Sequence, residues 1–185
     1  MFVLILGLAL WVLAHFFKRL APERRAALGD KGKGLVALVL AVSVVLMVLG
    51  YRAAPVIPVY APFPGAGHLN NLLMVVAVLL FGAGSPGSWL STRMRHPMLI
   101  SVKVWAIAHL LVNGDLASLI LFGGLLAWAV GEVILINRNA PAWQRDPDSK
   151  PGPRDARLVA VWAVMFVVIA GVHIWLGHNP FMGTY

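Results

Sequence analysis

Six apolar runs, each near the length needed to cross a lipid bilayer, dominate this 185-residue chain. Backbone N–H and C=O groups find no water in hydrocarbon, so each run must satisfy them internally and becomes a helix. The runs are 1–17, 35–51, 68–84, 97–112, 116–137 and 158–177, several at the short end of the spanning range. The expected fold is all-α: one integral membrane domain over 1–185, a bundle of six transmembrane helices. With 60% hydrophobic and 12% charged residues, the composition leaves little for a soluble domain. A net charge of +8 would suggest nucleic acid in a soluble protein. Here the charges sit between apolar runs, so they read as topology and no nucleic-acid partner is expected. The absence of cysteine excludes disulfides, thiolate iron–sulfur clusters and haem attached through thioethers.

The first run lacks a basic segment before it, and Lys18 and Arg19 follow where a cleavage site of small residues would stand, so it reads as a retained helix. Lys18, Arg19, Arg24, Arg25, Lys31 and Lys33 separate the first two runs, Arg93 and Arg95 precede the fourth, and Arg138, Arg145, Lys150, Arg154 and Arg157 lie between the last two. That puts 13 of 15 basic residues on one side, with Arg52 opposite and Lys103 inside a helix. The positive-inside rule then places both termini outside the cytoplasm of a multi-pass protein of the cell inner membrane.

The 52–67 loop carries Pro55, Pro58, Pro62 and Pro64 and cannot be regular helix. The polar segment 140–155, with Pro141, Pro147, Pro151 and Pro153, reads as a mobile connector. Asn113-Gly114-Asp115 makes the tightest turn, with Asp115 placed to cap the fifth helix, and Pro97 suits a first helical turn.

Ionisable side chains are expensive in a bilayer, which singles out His15, His109 and His173. A neutral imidazole hydrogen-bonded between helices is at least as common an explanation as a ligand. His68, His96 and His178 lie near helix ends, where interfacial placement is the default. Three imidazoles without thiolates or a carboxylate cluster suit haem iron or a proton relay better than structural zinc.

The segment Leu10-Trp11-Val12-Leu13-Ala14-His15 is echoed by Val104-Trp105-Ala106-Ile107-Ala108-His109 three helices later. Such an echo suits a three-plus-three inverted repeat with sites near the midplane, though a short match also arises by chance. At about 1.5 Å per residue each histidine lies about 20 Å from the start of its run. In a core about 30 Å thick, the two then sit about 5 Å either side of the midplane, on antiparallel spans. A metal centre shared by His15 and His109 follows, with His173, closer in depth to His109, as the alternative second ligand. Haem b iron, which takes two axial imidazoles, fits that arrangement. Trp11 and Trp105 share a face with the histidine one turn on and would line such a cofactor, although packing or interfacial anchoring is the commoner role. A Lys103–Glu132 pair is the cheapest way to bury both charges; a contact from Lys103 to a haem propionate is the sharper alternative.

The run from Arg95 to Leu116, RHPMLISVKVWAIAHLLVNGDL, closely resembles the signature of the NnrU membrane family, as do the N-terminal segment through Ala14-His15 and the six-helix plan. The resemblance covers nearly the whole chain. It implies a link to denitrification and nitric oxide metabolism, and kinship with zeta-carotene isomerase, a haem b enzyme that moves a polyene bond from cis to trans. The isomerase's haem-ligand histidines fall on His15 and His109, and His96 matches another family histidine. Ala106 stands where the isomerase has a cysteine described as an alternative iron ligand, which puts ligand switching in doubt.

Three readings follow from these residues. The first is a haem b protein linked to nitrogen-oxide respiration, whose reaction, if it has one, would isomerise an apolar polyene or isoprenoid entering from lipid. The second is a non-catalytic assembly factor with a respiratory reductase as partner. The third is a small transporter, against which no run shows the Gly/Pro-interrupted centre of an unwound site.

Overall fold

The computed structural model describes residues 1–84, 88–146 and 148–181; Pro147 of the expected connector lies outside them. Among the described residues the chain is helical throughout, in the order α1 Phe2–Leu20, α2 Pro22–Ala27, α3 Gly29–Arg52, α4 Ala66–Gly82, α5 Trp89–Arg93, α6 Pro97–Val112, α7 Leu116–Ser118, α8 Gly124–Asn139 and α9 Pro153–Trp175. A π-helical turn, Leu119–Gly123, joins α7 to α8 into one rod, Leu116–Asn139. Four helices are long and apolar enough to cross a membrane: α1, α3, the α7–α8 rod and α9. Two shorter apolar helices, α4 and α6, accompany them. Large apolar side chains are exposed along these helices, Leu13, Leu38, Val48 and Val167 among them, as expected where lipid takes the place of water.

The chain divides into two compact units, one of Met1–Tyr60 with Gly114–Ala140, the other of Ala61–Asn113 with Pro141–Tyr185. The first therefore holds α1, α3 and the α7–α8 rod, the second α4, α6 and α9. This division does not follow the sequence halves that a three-plus-three repeat would produce.

Lipid tails give apolar helices no reason to associate, so close packing through small residues supplies the contact. In the first unit α1 and α3 run antiparallel with Gly7 set against Ser43 and Met47, and Gly50 against Leu4. A Cβ on Gly7 would stand 2.7 Å from the Met47 nitrogen, and one on Gly50 2.7 Å from the Leu4 Cα. On the rod, Gly124 and Gly131 receive Leu8 and Phe16 of α1 in the same way.

At the end of this unit remote from α2, the proline-rich segment is pinned to the turn before α7. Val59 and Tyr60 donate their N–H groups to the Gly114 carbonyl at 2.7 and 3.0 Å, and Leu116 donates to Ile57 at 2.9 Å. Asp115 caps the rod as its sequence position implied, accepting the Ser118 N–H at 3.0 Å. The Ser118 hydroxyl donates to the same carboxylate, so the Tyr51 hydroxyl, 2.8 Å from Ser118 Oγ, is the donor in their bond. Burial pulls the Asp115 carboxyl upward, but the Ser118 hydroxyl and N–H and the N–H groups of Asp115 and Ala117 outweigh it and hold the carboxyl below its ordinary value. Burial first, and then the Asp115 charge, push the Tyr60 phenol up.

In the second unit, polar side chains meet backbone carbonyls across helices. Ser101 of α6 donates to the Ala77 carbonyl of α4 at 2.6 Å, and Trp162 Nε1 of α9 donates to Val75 at 3.1 Å. The expected mobile connector is instead pinned to α5. Asp146 N–H bonds Thr92 O at 3.2 Å, Trp89 Nε1 bonds Ser149 O at 3.1 Å, and Asp155 accepts from both Trp89 N at 2.7 Å and Gly152 N at 2.8 Å. Those last bonds, with Pro153 in the first turn, start α9 five residues before the apolar run begins.

A Gly50→Ala substitution is expected to lower thermal stability by about 1–3 kcal/mol through overpacking against α1, while Gly34→Ala, which meets nothing, leaves it unchanged or slightly raised; unfolding in detergent checks both. Replacing Asp115 by Ala removes the cap at a cost of about 1 kcal/mol at neutral pH. Because its folded-state value is depressed, the carboxylate's contribution is full above the ordinary Asp range and vanishes as pH falls through the lower folded value, so wild type and Asp115→Ala converge in acid.

Candidate functional site

The structure places His15 in the first unit within a ladder built by four-residue spacing. Trp11, His15 and Arg19 follow one another on α1; Trp128 and Glu132 do the same on α8. The His15 ring lies 4.3 Å from the Trp11 indole and 4.5 Å from that of Trp128, and the two indoles meet edge to face at 5.2 Å. One turn on, Arg19 Nε donates to Glu132 Oε1 at 2.8 Å. Glu132 is thus paired with Arg19, not with Lys103 as the sequence suggested. The physical reason is that α1 continues through Leu20, which keeps Arg19 on the helical face of His15 rather than in a loop. Lys103 lies in the other unit, half-buried on α6. The indole N–H groups of Trp11 and Trp128 and the second Glu132 oxygen are buried without a hydrogen-bond partner.

The second unit holds His109 on α6 and His173 on α9. His109 sits one turn after Trp105, with ring centroids 5.0 Å apart. The interplanar angle is 43°, the same as for Trp11 and His15. The His109 carbonyl also takes the N–H and the side-chain amide of Asn113, at 2.9 and 2.8 Å, which closes α6.

All three imidazoles make one bond in common. Nδ1 lies 2.9 Å from the Trp11 carbonyl at His15, 3.1 Å from the Trp105 carbonyl at His109 and 2.8 Å from the Ile169 carbonyl at His173. A carbonyl oxygen only accepts, so Nδ1 carries a proton in each, and Nε2 is the ring nitrogen that remains for other partners. This is the tautomer that suits a metal-ligating histidine, with the second nitrogen held by the backbone. A haem is compatible with these residues: imidazole donors with their tautomer set, indole walls, and orphaned indole donors of the kind that bind carboxylates such as propionates. Among the described residues no group of three or more His, Cys, Asp or Glu gathers as a metal cluster, so a bare ion held by side chains alone is less well served. Ala106, three residues before His109 in α6, is wholly buried.

Sequence reasoning missed Trp128 as a wall of the His15 site. Its signal was there in the Trp128-x3-Glu132 spacing, which matches the Trp11-x3-His15-x3-Arg19 ladder rung for rung.

These helices and half-buried imidazoles define a helical membrane protein with polar groups inside apolar segments. The chain belongs to the NnrU protein family, whose pattern matches residues 3–180. No curated protein and no solved structure matches it.

Arg19→Met is expected to destabilise the protein by about 3–5 kcal/mol, because it leaves the Glu132 carboxylate buried and unpaired. The double variant Arg19→Met/Glu132→Met should recover most of that loss. Detergent-denaturation midpoints of the two variants are the measurement, and equal losses would contradict the pairing energetics.

Proposed function

We propose that this NnrU-family protein binds haem b in the membrane through imidazole Nε2 atoms, with His109 as one axial ligand and either His15 or His173 as the other. The observation that carries this reading is the shared Nδ1-to-carbonyl bond, which fixes the same ring nitrogen to the backbone in all three histidines. The Trp-His register on α1 and α6 supports His15 and His109 as the pair. That His173 lies in the same compact unit as His109 supports the alternative. Trp11 and Trp105 would flank the cofactor, and Lys103 is the cation available to a propionate from α6.

Bound haem would supply a redox-active or Lewis-acidic iron. The chain's own part is to fix the imidazoles through their backbone bonds and, at His15 and His109, to keep the rings against indoles. The physiological setting is nitrogen-oxide respiration at the inner membrane, with six spans and both termini outside the cytoplasm. With Ala106 buried where a thiol would have to stand, the site has no sulfur ligand to exchange, so polyene isomerisation by ligand switching is disfavoured as its reaction. Either a haem-dependent conversion of an apolar molecule or a maturation role beside a respiratory reductase fits the remaining chemistry.

Protein purified in mild detergent is expected to show a Soret band and a pyridine haemochrome spectrum of haem b. His109→Ala should abolish the band. Of His15→Ala and His173→Ala, one should lose or shift it and so identify the second ligand, while the other leaves it unchanged. A colourless wild type that takes up no added haemin, or three variants with the wild-type spectrum, would falsify the assignment.

A further inference from the structure

Besides the histidine sites, the first unit carries an apolar groove between α1 and α3. Leu10, Leu13, Ala14 and Phe17 form one wall, recurring at the three- and four-residue spacing of a single helix face; Val36 and Val39 of α3 form the other. The groove encloses about 410 Å³ and extends along α1 from Leu10 to Ala21, about 17 Å at the helical rise. Its walls are almost entirely hydrocarbon. Such a slot suits a flexible alkyl chain, which needs no hydrogen bonds, better than a polar solute.

Charge supplies the second half of the argument. The groove's Leu20–Ala21 and Leu35 end meets the connection between the two helices, where Lys18, Arg19, Arg24, Arg25, Lys31 and Lys33 stand against Glu23 and Asp30. Arg19 is committed to Glu132, and Lys33 to Asp30 at 2.8 Å. Arg25 folds over Gly32 and reaches the Gly29 carbonyl at 3.4 Å. Lys18, Arg24 and Lys31 remain exposed beside the mouth. A row of basic side chains at a membrane interface attracts anionic headgroups. An apolar slot that opens into it selects a molecule joining a phosphate to a hydrocarbon chain.

We propose that the α1–α3 groove is a binding site for an anionic phospholipid, with one acyl chain laid along Leu10, Leu13, Ala14 and Phe17 and its phosphate held by Lys18, Arg24 and Lys31. The site is independent of haem, since no groove residue belongs to the histidine ladder's polar edge. It gives α2, a six-residue helix too short to be stable alone, a reason to sit at the headgroup level.

The test is native mass spectrometry of the full-length delipidated protein titrated with phosphatidylglycerol or phosphatidylcholine of identical chains. Wild type should bind phosphatidylglycerol about a hundredfold more tightly. At about fivefold per basic residue, Lys18→Gln/Arg24→Gln/Lys31→Gln should remove that preference. Val39→Trp, which fills the groove, should weaken both lipids, whereas Arg145→Gln/Lys150→Gln in the α8–α9 connection should change nothing. Equal binding of the two lipids by wild type, a preference that survives the triple variant, or a preference lost with Arg145 and Lys150 instead would overturn the site. If Val39→Trp does not fold, the charge variants still decide.

Discussion

A carboxylate buried among apolar helices is tolerable only with a cation beside it, and the Arg19–Glu132 pair meets that demand by fastening α1 to α8. The consequence reaches beyond the two charges. Because the bond needs Arg19 to stay helical, α1 must run past the apolar stretch, and the three preceding turns then carry Trp11 and His15 on the same face toward Trp128. Glycines at 124 and 131 let the rod come close enough for this, receiving Leu8 and Phe16 where larger residues would hold the helices apart. The histidine's environment is in this sense a by-product of how an acid is buried.

Much of the fold is legible in the sequence because hydrocarbon leaves a helix no alternative. The apolar runs, the Asp115 cap and Pro97 at the start of α6 all appear where one-dimensional chemistry puts them. What escaped is what depends on partners. α2 and α5 are short and polar, and α5 exists because Ser88 caps it and Ser149 and Asp155 tie it down. The 140–155 segment looks mobile in sequence because its anchor lies more than 50 residues upstream at Thr92 and Trp89. Arg19 was read as a loop cation because it stands beside Lys18 and no local rule reveals a carboxylate on a helix 113 residues away.

The division into units was equally invisible. Sequence similarity between α1 and α6 suggested that consecutive triplets of helices form matching halves. The compact units instead place the second apolar helix with the first and the third with the fourth, then add the fifth to one and the sixth to the other. Antiparallel neighbours joined by the chain pack together, and the rod and α9 join them by side-chain fit: Leu8 on Gly124 in one case, Trp162 on the Val75 carbonyl in the other.

The recurrence of one Trp-His geometry in both units has a correspondingly modest cause. A histidine that bonds the carbonyl four residues back, with an indole on that same residue, will adopt this arrangement on any helix, so the matching 43° angles need no ancestral duplication. What differs is the second neighbour. His15 has another indole and, one turn on, a neutralised acid; His109 has the Asn113 amide on its own carbonyl.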